Sequence, residues 1–451
     1  MEKILGTLLK AKNLMPCSIT HAANADILLT LLFWKLMSAC HQGKASRFQQ
    51  HYHQPDVRVK TIMAGNCLRM AEAALYDSCN WGRPEQACAA LREGLYRWHN
   101  LQSHASLYSI LRPERFGTMS SYYPLFSNAG ILADVITLIG GMSFSNVKPL
   151  LTSGEIFSSA VEIFQTDEHA LRPVLVQFML DVLQPLPVDR IYDPACGNGQ
   201  LLLACARDMA QRVPRHQMHL VGHEARLNQW ALSKMQLLCH GLTLHQLTNT
   251  DALDKPLSGM MGLPAIDVVL TYLPGDQQDW KHAAAKDDRR FPVEPPKHAS
   301  LALIWHGLAQ LQHESARMGV ILPLRLLDGD EGLVLRRHLI QQHYLEAVIE
   351  LPGLPSRGKL SGLLVLRQHP ITRTVAFISD NPLMSPALAN HQGFDLPDIL
   401  EAYRAFRNLQ SKPGLVAIDD ATIARHAYSF HLAAYADYLQ GGSSMVQTRK
   451  V

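Results

Sequence analysis

The sequence has no Cys-x-x-Cys pair, no strong charge imbalance, no internal repeat and no apolar run long enough to cross a bilayer. Its eight cysteines are scattered, and Cys79 and Cys88 are too far apart to form one knuckle of a zinc site. They read as reduced core thiols of a cytoplasmic protein. Lys and Arg total 42 against 39 Asp and Glu, a net charge of +3. Bulk charge therefore does not mark a nucleic-acid binder. Any DNA surface must be a local patch or be completed by a partner. The most apolar run, Ile27 to Cys40, is interrupted by Thr30, Lys35 and Ser38, which makes it a buried helix rather than a membrane span. The N-terminal Met-Glu-Lys-Ile-Leu-Gly does not read as a signal peptide. What is present is ordinary for a globular chain: 451 residues, 47% hydrophobic and 18% charged, enough for two or three domains.

Three regions are expected: a helical N-terminal domain over 1–150, an α/β domain over 151–370, and a C-terminal extension over 371–451. Apolar residues recur at helical spacing through the first hundred or so positions. Asn24 and Asp26 are candidate caps for the Ile27–Cys40 helix, and Ala129–Ile139 reads as a second buried helix. From Asp167 helices and strands alternate. Helices are expected over Leu171–Leu183, with Pro173 in the first turn, and over Leu201–Arg212, Asn228–His240, Ala299–His313 and Leu333–Gln342. Strands are expected over Asp189–Tyr192, Leu220–Gly222, Leu244–Thr248, Ile266–Leu270, Met318–Leu322, Leu345–Leu351 and Gly362–Leu366. That alternation predicts a mostly parallel sheet covered on both faces. Asp287–Pro296 reads as a surface loop. Beyond Ile371 the pattern weakens to one clear helix, Asp395–Leu409, and a tail from Gln440 that reads as disordered.

The first strand runs into Asp193-Pro194-Ala195-Cys196-Gly197-Asn198-Gly199 and then into a helix. Gly197 and Gly199 remove the Cβ atoms that would keep a ligand from the backbone, and the following helix offers unpaired N–H groups. Asp193 is placed to meet a ligand ammonium. A lone Gly-x-Gly turn is by itself an ordinary strand–helix connection. Here Glu224 ends the second strand, where an acid can hold two ribose hydroxyls, and Asp251 follows the third, where a carboxylate can accept from an adenine amino group. Alone, either acid would read as solvated. Three carboxylates at three successive strand ends describe a nucleoside site.

The segment IYDPACGNGQLLLA resembles the first motif of gamma-class DNA adenine-N6 methyltransferases, and more narrowly that of the modification subunit of type I restriction–modification systems. Further likeness lies in the LLTLLFWKLMS stretch, in HEARLNQWALSKMQLLCHGL, in IDVVLTYLPG, and in the strand–helix–strand that starts at Arg317. The resemblance implies a Rossmann-like S-adenosylmethionine-dependent methyltransferase fold with a helical N-terminal domain. It implies S-adenosylmethionine as cofactor, with Asp193, Ala195, Gly197, Asn198 and Gly199 around its methionine part, Glu224 on the ribose and Asp251 near the adenine. Asn198 stands where the family has Ser. The family's Thr-Pro motif before the first strand is matched by Glu155–Ser159 or Glu162–Thr166, and Phe164 with Thr166 is the preferred assignment. The implied partners are double-stranded DNA, met together with a specificity subunit, and a restriction subunit, so a hetero-oligomer is expected.

The chemistry departs from that family at one place. Adenine N6 is a poor nucleophile, because its lone pair is delocalised. The family answers with an Asn/Asp-Pro-Pro-Tyr/Phe loop, in which an amide or carboxylate oxygen accepts the amino hydrogens and an aromatic ring stacks on the flipped base. This chain reads Thr271-Tyr272-Leu273-Pro274-Gly275. Aligned on the strand Ile266–Leu270, Tyr272 takes the acceptor position, Pro274 matches the second proline, and Gly275 stands where the stacking ring belongs. Three readings remain open. The protein holds the cofactor without methylating; or Tyr272 stacks from a shifted loop with Asp276 as acceptor; or the substrate is not adenine in DNA. The first makes the chain a catalytically degenerate DNA- or protein-binding relative, acting as a subunit of a defence or anti-restriction complex.

The remaining candidates have plainer readings. His216, His219, His223, His240 and His245 have no regular ligand spacing and read as surface or interface residues. Lys286, Arg289 and Arg290 are candidate phosphate contacts, with a solvated loop the competing reading. Arg336 and Arg337 read as an exposed helix face.

Overall fold

The computed structural model describes residues 2–15, 21–51, 129–142, 144, 151–164, 171–210, 218–242, 245–254, 265–275, 280–285, 288–351, 360–379 and 395–435. Thr166, Asp276, Lys286, His216 and the expected tail lie outside them. The chain divides into two compact units, the first Met1–Asp167, Gly197–Leu203 and Arg226–His245, the second Glu168–Cys196, Ala204–Ala225 and Gln246–Val451.

The first unit is helical. It contains α1 (Glu2–Leu14), α2 (His21–His51), α3 (Ala129–Gly140) and α4 (Leu151–Phe164), joined by the later helix α7 (Leu227–Cys239). α2 begins well before Ile27, so Asn24 and Asp26 sit inside the helix rather than capping it. Its middle, Ile27 to Ser38, is buried. Phe33 meets Phe157 edge to face at 6.1 Å between centroids, and the Lys12 ammonium lies over the Phe164 ring. α7 is buried continuously from Trp230 to Cys239, including Ser233, Lys234 and Gln236. A helix buried on all sides needs partners for its polar groups. Lys234 supplies one case, with its ammonium 4.5 Å from the Trp230 ring centroid. No helix among the described residues is long and apolar enough to cross a membrane.

The second unit is built on a nine-stranded sheet. Its strands are β1 (Arg190–Asp193), β2 (His219–His223), β3 (His245–Thr248), β4 (Val268–Tyr272), β5 (Arg317–Pro323), β6 (Leu345–Leu351), β7 (Ser361–Arg367), β8 (Thr374–Ile378) and β9 (Leu415–Asp419), in the order β3-β2-β1-β4-β5-β7-β6-β8-β9. β1 pairs parallel with β2 and β4, and β4 with β5. β7 runs antiparallel to both β5 and β6, and β9 antiparallel to β8. The sheet is thus parallel across β2, β1, β4 and β5 and mixed beyond them. β5, RMGVILP, is buried at every residue, as a central strand covered on both faces must be.

The helices of this half are α5 (Pro173–Leu183), α6 (Gln200–Met209), α8 (Ala299–Leu308), α9 (Asp330–Gln341), α10 (Leu396–Arg407) and α11 (Asp420–Arg425). Pro173 opens α5 as its spacing predicts, because the first turn needs no N–H from it. Asp395 caps α10 in a reciprocal box with Asp398. Behind α5, Arg317 donates to the carbonyls of Leu183 and Gln184 and to Asp189 Oδ2 at 2.7 Å, which fixes the turn into β1.

Two expectations change here. Beyond Ile371 two strands, β8 and β9, extend the sheet where the pattern suggested one helix alone. The strand expected at Ile266–Leu270 runs instead from Val268 to Tyr272, with Ile266 held only by an isolated bridge to Leu311. Pairing with β5 decides the frame, since Thr271 sits opposite Val320 and Tyr272 opposite Ile321.

Candidate cofactor site and catalytic loop

β1 ends at Asp193 with its side chain 1% exposed. Burial pushes this carboxyl from its ordinary 3.8 up to about 7; the Ala195 N–H, donating to Oδ1 at 3.0 Å, works against that, and the Glu224 charge adds to it. The loop is anchored sideways by Cys196, whose N–H donates to the His223 carbonyl of β2 at 2.9 Å. Glu224 follows β2 directly and is buried. Its N–H donates to the Thr248 carbonyl, and its own carbonyl accepts from the Asn249 amide at 2.9 Å. Asp251 accepts the Leu253 N–H on Oδ1 at 2.9 Å, a short-range turn that fixes one oxygen. The three acids lie at the carboxyl ends of neighbouring strands in the order β3-β2-β1.

In the first unit, Gly197 and Gly199 adopt φ of +53° and +80°, the left-handed region that glycine enters without cost. A Cβ on Gly197 would meet nothing within 4 Å, so the backbone there is open to a ligand. A Cβ on Gly199 would collide with Ser233 of α7. The Asn198 side chain accepts the Gln200 N–H at 3.1 Å, and its carbonyl accepts from Gln236 at 2.8 Å.

The cofactor implied by such a loop is S-adenosylmethionine, and the residues fit it. A buried carboxyl held near 7 gains its charge readily beside a cation.

The catalytic-loop position fits less well. Tyr272 is the last residue of β4, not a loop residue. Leu273 is fully buried, and its N–H donates to the Ile321 carbonyl at 2.9 Å. Pro274 follows, half-buried. Gly275 has φ +88°, and a Cβ there would come within 3.2 Å of Leu326 and 3.3 Å of Pro323. An L-aromatic residue there would be strained by that φ and would have to push Leu326 and Pro323 aside by a few tenths of an ångström.

Other sequence expectations are corrected by burial. Arg290 is 7% exposed and points inward, so it is not a phosphate contact, whereas Arg289 is exposed. Arg336 is buried and donates to the Tyr428 carbonyl at 2.8 Å, and Arg337 alone of that pair is exposed. His223 and His240 are core residues, the latter bonded to Ser158 Oγ at 2.9 Å. Cys196, Cys205 and Cys239 are buried and form no disulfide.

Residues 172–438 match the family model of the N-6 DNA methylases. The methylase subunit of the type I restriction enzyme EcoEI from Escherichia coli is 25% identical over 278 residues, covering 57% of this chain and 55% of that protein. The methylase subunit of the type I enzyme MjaVIII from Methanocaldococcus jannaschii is 20% identical, covering 96% and 78%. The chain thus spans about half the length of the first of these relatives. Among solved structures, the type I methyltransferase subunit from Streptococcus thermophilus superposes with a TM-score of 0.75 at 17% identity, covering 96% of this chain and 99% of that one. A modification subunit of a putative type I enzyme from Vibrio vulnificus gives 0.68 at 15%, covering 94% and 93%. At these identities the structures establish the fold, that of an S-adenosylmethionine-dependent methyltransferase.

Proposed function

Because the chain belongs to the N-6 DNA methylase family, we propose that it is a type I modification-subunit-like protein that holds S-adenosylmethionine but is impaired in methyl transfer to adenine N6. One observation carries the impairment. β4 runs on through Tyr272, and Gly275 turns back against Pro323 and Leu326 with φ +88°. The position that should stack a flipped base has no side chain, and its positive φ and close neighbours strain any L residue placed there. Tyr272 offers a hydroxyl in place of an amide, a weaker acceptor on a longer arm.

Bound at the loop after β1, the cofactor would supply an electrophilic methyl group. Asp193 would hold its ammonium, Glu224 its ribose hydroxyls and Asp251 its adenine amino group. The helical N-terminal region, the domain over 151–370 and the C-terminal extension then serve as a platform for DNA, a specificity subunit and a restriction subunit. Partners of this kind fit the relatives, which are themselves methylase subunits of type I enzymes.

The test is a calorimetric titration with S-adenosylmethionine, followed by an assay of methyl incorporation into DNA in the presence of a specificity subunit. Cofactor binding with little incorporation is expected. Robust incorporation that Asp193→Ala abolishes would overturn the impairment. No binding at millimolar cofactor would overturn the cofactor assignment.

A further inference from the structure

A single hydrogen-bonded chain runs through the interior of the second unit, and it starts at Arg290. A guanidinium only donates. Nη1 donates to His306 Nδ1 at 2.8 Å and to the Ala252 carbonyl at 2.8 Å. Nη2 donates to the Leu253 carbonyl at 2.6 Å and to Asp288 Oδ2 at 2.6 Å. Burial drives His306 well below the ordinary imidazole value, so it is neutral. With Nδ1 accepting, its hydrogen sits on Nε2 and goes to the Tyr192 hydroxyl at 2.7 Å. That hydroxyl in turn donates to His223 Nδ1 at 3.0 Å. His223 is neutral too, held down at about 4 by burial and then by the Arg290 charge.

Four of the residues in this chain lie within two positions of a candidate cofactor carboxylate. Tyr192 precedes Asp193, His223 precedes Glu224, and Ala252 and Leu253 follow Asp251. The last case is the most direct. The Ala252 carbonyl and the Leu253 N–H belong to one peptide group, and that N–H donates to Asp251 Oδ1. Arg290 grips one end of the peptide plane while Asp251 is held by the other. A cation on the oxygen also polarises the N–H and strengthens its bond to the carboxylate.

We propose that Arg290 is a positioning residue for adenosine recognition, fixing the Asp251 carboxylate through the Ala252–Leu253 peptide and, through His306, Tyr192 and His223, setting Asp251 against Asp193 and Glu224. This role rests on the cofactor assignment above. It adds a residue that touches no ligand yet decides how well the adenine amino group is read. Asp251 Oδ1 is committed to Leu253, which leaves Oδ2 to accept that amino group.

The test compares S-adenosylhomocysteine with S-inosylhomocysteine, which carries an oxygen in place of the amino group. Both are titrated by calorimetry into the full chain and into R290Q, R290K and D288N. The wild type is expected to prefer the adenosyl ligand by roughly tenfold or more, because the inosyl oxygen faces a carboxylate. R290Q is expected to lose most of that preference while its affinity for the inosyl ligand changes by less than about threefold, and R290K to recover part of it. D288N keeps the guanidinium but replaces its part-buried carboxylate partner by a neutral amide, so a smaller loss in the same direction is expected of it, which keeps the role testable should R290Q not fold. An unchanged preference in a folded variant overturns the role. So does an equal loss of affinity for both ligands, which would mark Arg290 as general support. If the wild type binds neither ligand, the cofactor assignment fails first and takes this role with it.

Discussion

Asp193→Asn separates the cost of the cofactor carboxylate from its use. In the free protein this carboxyl is buried and titrates near 7 rather than 3.8. A folded-state value raised above the unfolded one means that the native state prefers the protonated form. The associated stability is therefore full below pH 3.8 and is lost as pH rises through 7. About three units at 1.36 kcal/mol each put the cost of the ionised form at about 4 kcal/mol above pH 7. Asn has the shape of the protonated acid and keeps an oxygen for the Ala195 N–H. The variant should match the wild type near pH 4, and by pH 8 exceed its melting temperature by about 8 °C, at roughly 2 °C per kcal/mol. Calorimetric melts from pH 4 to 8 read this directly. Adding S-adenosylmethionine at a hundred times its dissociation constant should restore about 2.7 kcal/mol to the wild type and nothing to the variant. Parallel pH profiles for the two proteins would refute the assigned burial cost. An equal ligand shift in both would refute the role of Asp193 in binding.

Three further outcomes are expected. Gly199→Ala should abolish cofactor binding, because its Cβ meets Ser233, whereas Gly197→Ala meets open space and should cost about 1–2 kcal/mol of backbone strain, with both read by titration and chemical denaturation. Gly275→Phe, which supplies the missing ring, should not raise methyl incorporation and should destabilise by about 1–3 kcal/mol, since φ +88° and contacts with Pro323 and Leu326 oppose any side chain. Asp189→Ala should cost about 3–5 kcal/mol in urea denaturation, because it leaves the buried guanidinium of Arg317 without its carboxylate.

The elements around the loop were legible because their local signals agree. Pro173 announces α5, and a short apolar run before two glycines announces β1 and its turn. β6 spans Leu345–Leu351, the residues its apolar run suggests. The three acids at strand ends follow once the strands are placed. β8 and β9 were not legible, because each is five residues long and lies between polar stretches, so their pairing rather than their periodicity makes them strands. The frame of β4 was missed by two residues because Ile266-Asp267-Val268 is as strand-like as Leu270-Thr271-Tyr272. Only the partner strand β5 distinguishes them. Arg290 was misplaced for a different reason. In Asp-Asp-Arg-Arg-Phe every charge looks solvated, and nothing in one dimension shows that one of the two arginines finds two carbonyls, a histidine and a carboxylate inside.

The position of Arg290 bears on how this protein tolerates change. It lies downstream of the Thr271–Gly275 segment, yet its bonds run back to the turn after β3 and away from that segment. The stretch that follows the Thr271–Gly275 loop is therefore tied by Arg290 to the turn after β3. None of the bonds that Arg290 makes to Asp288, His306, Ala252 and Leu253 involves Tyr272 or Gly275. Methyl transfer at that loop and the hold of Arg290 on the turn after β3 are then separable along the chain, so an intact Arg290 cluster is by itself no sign of methyl transfer.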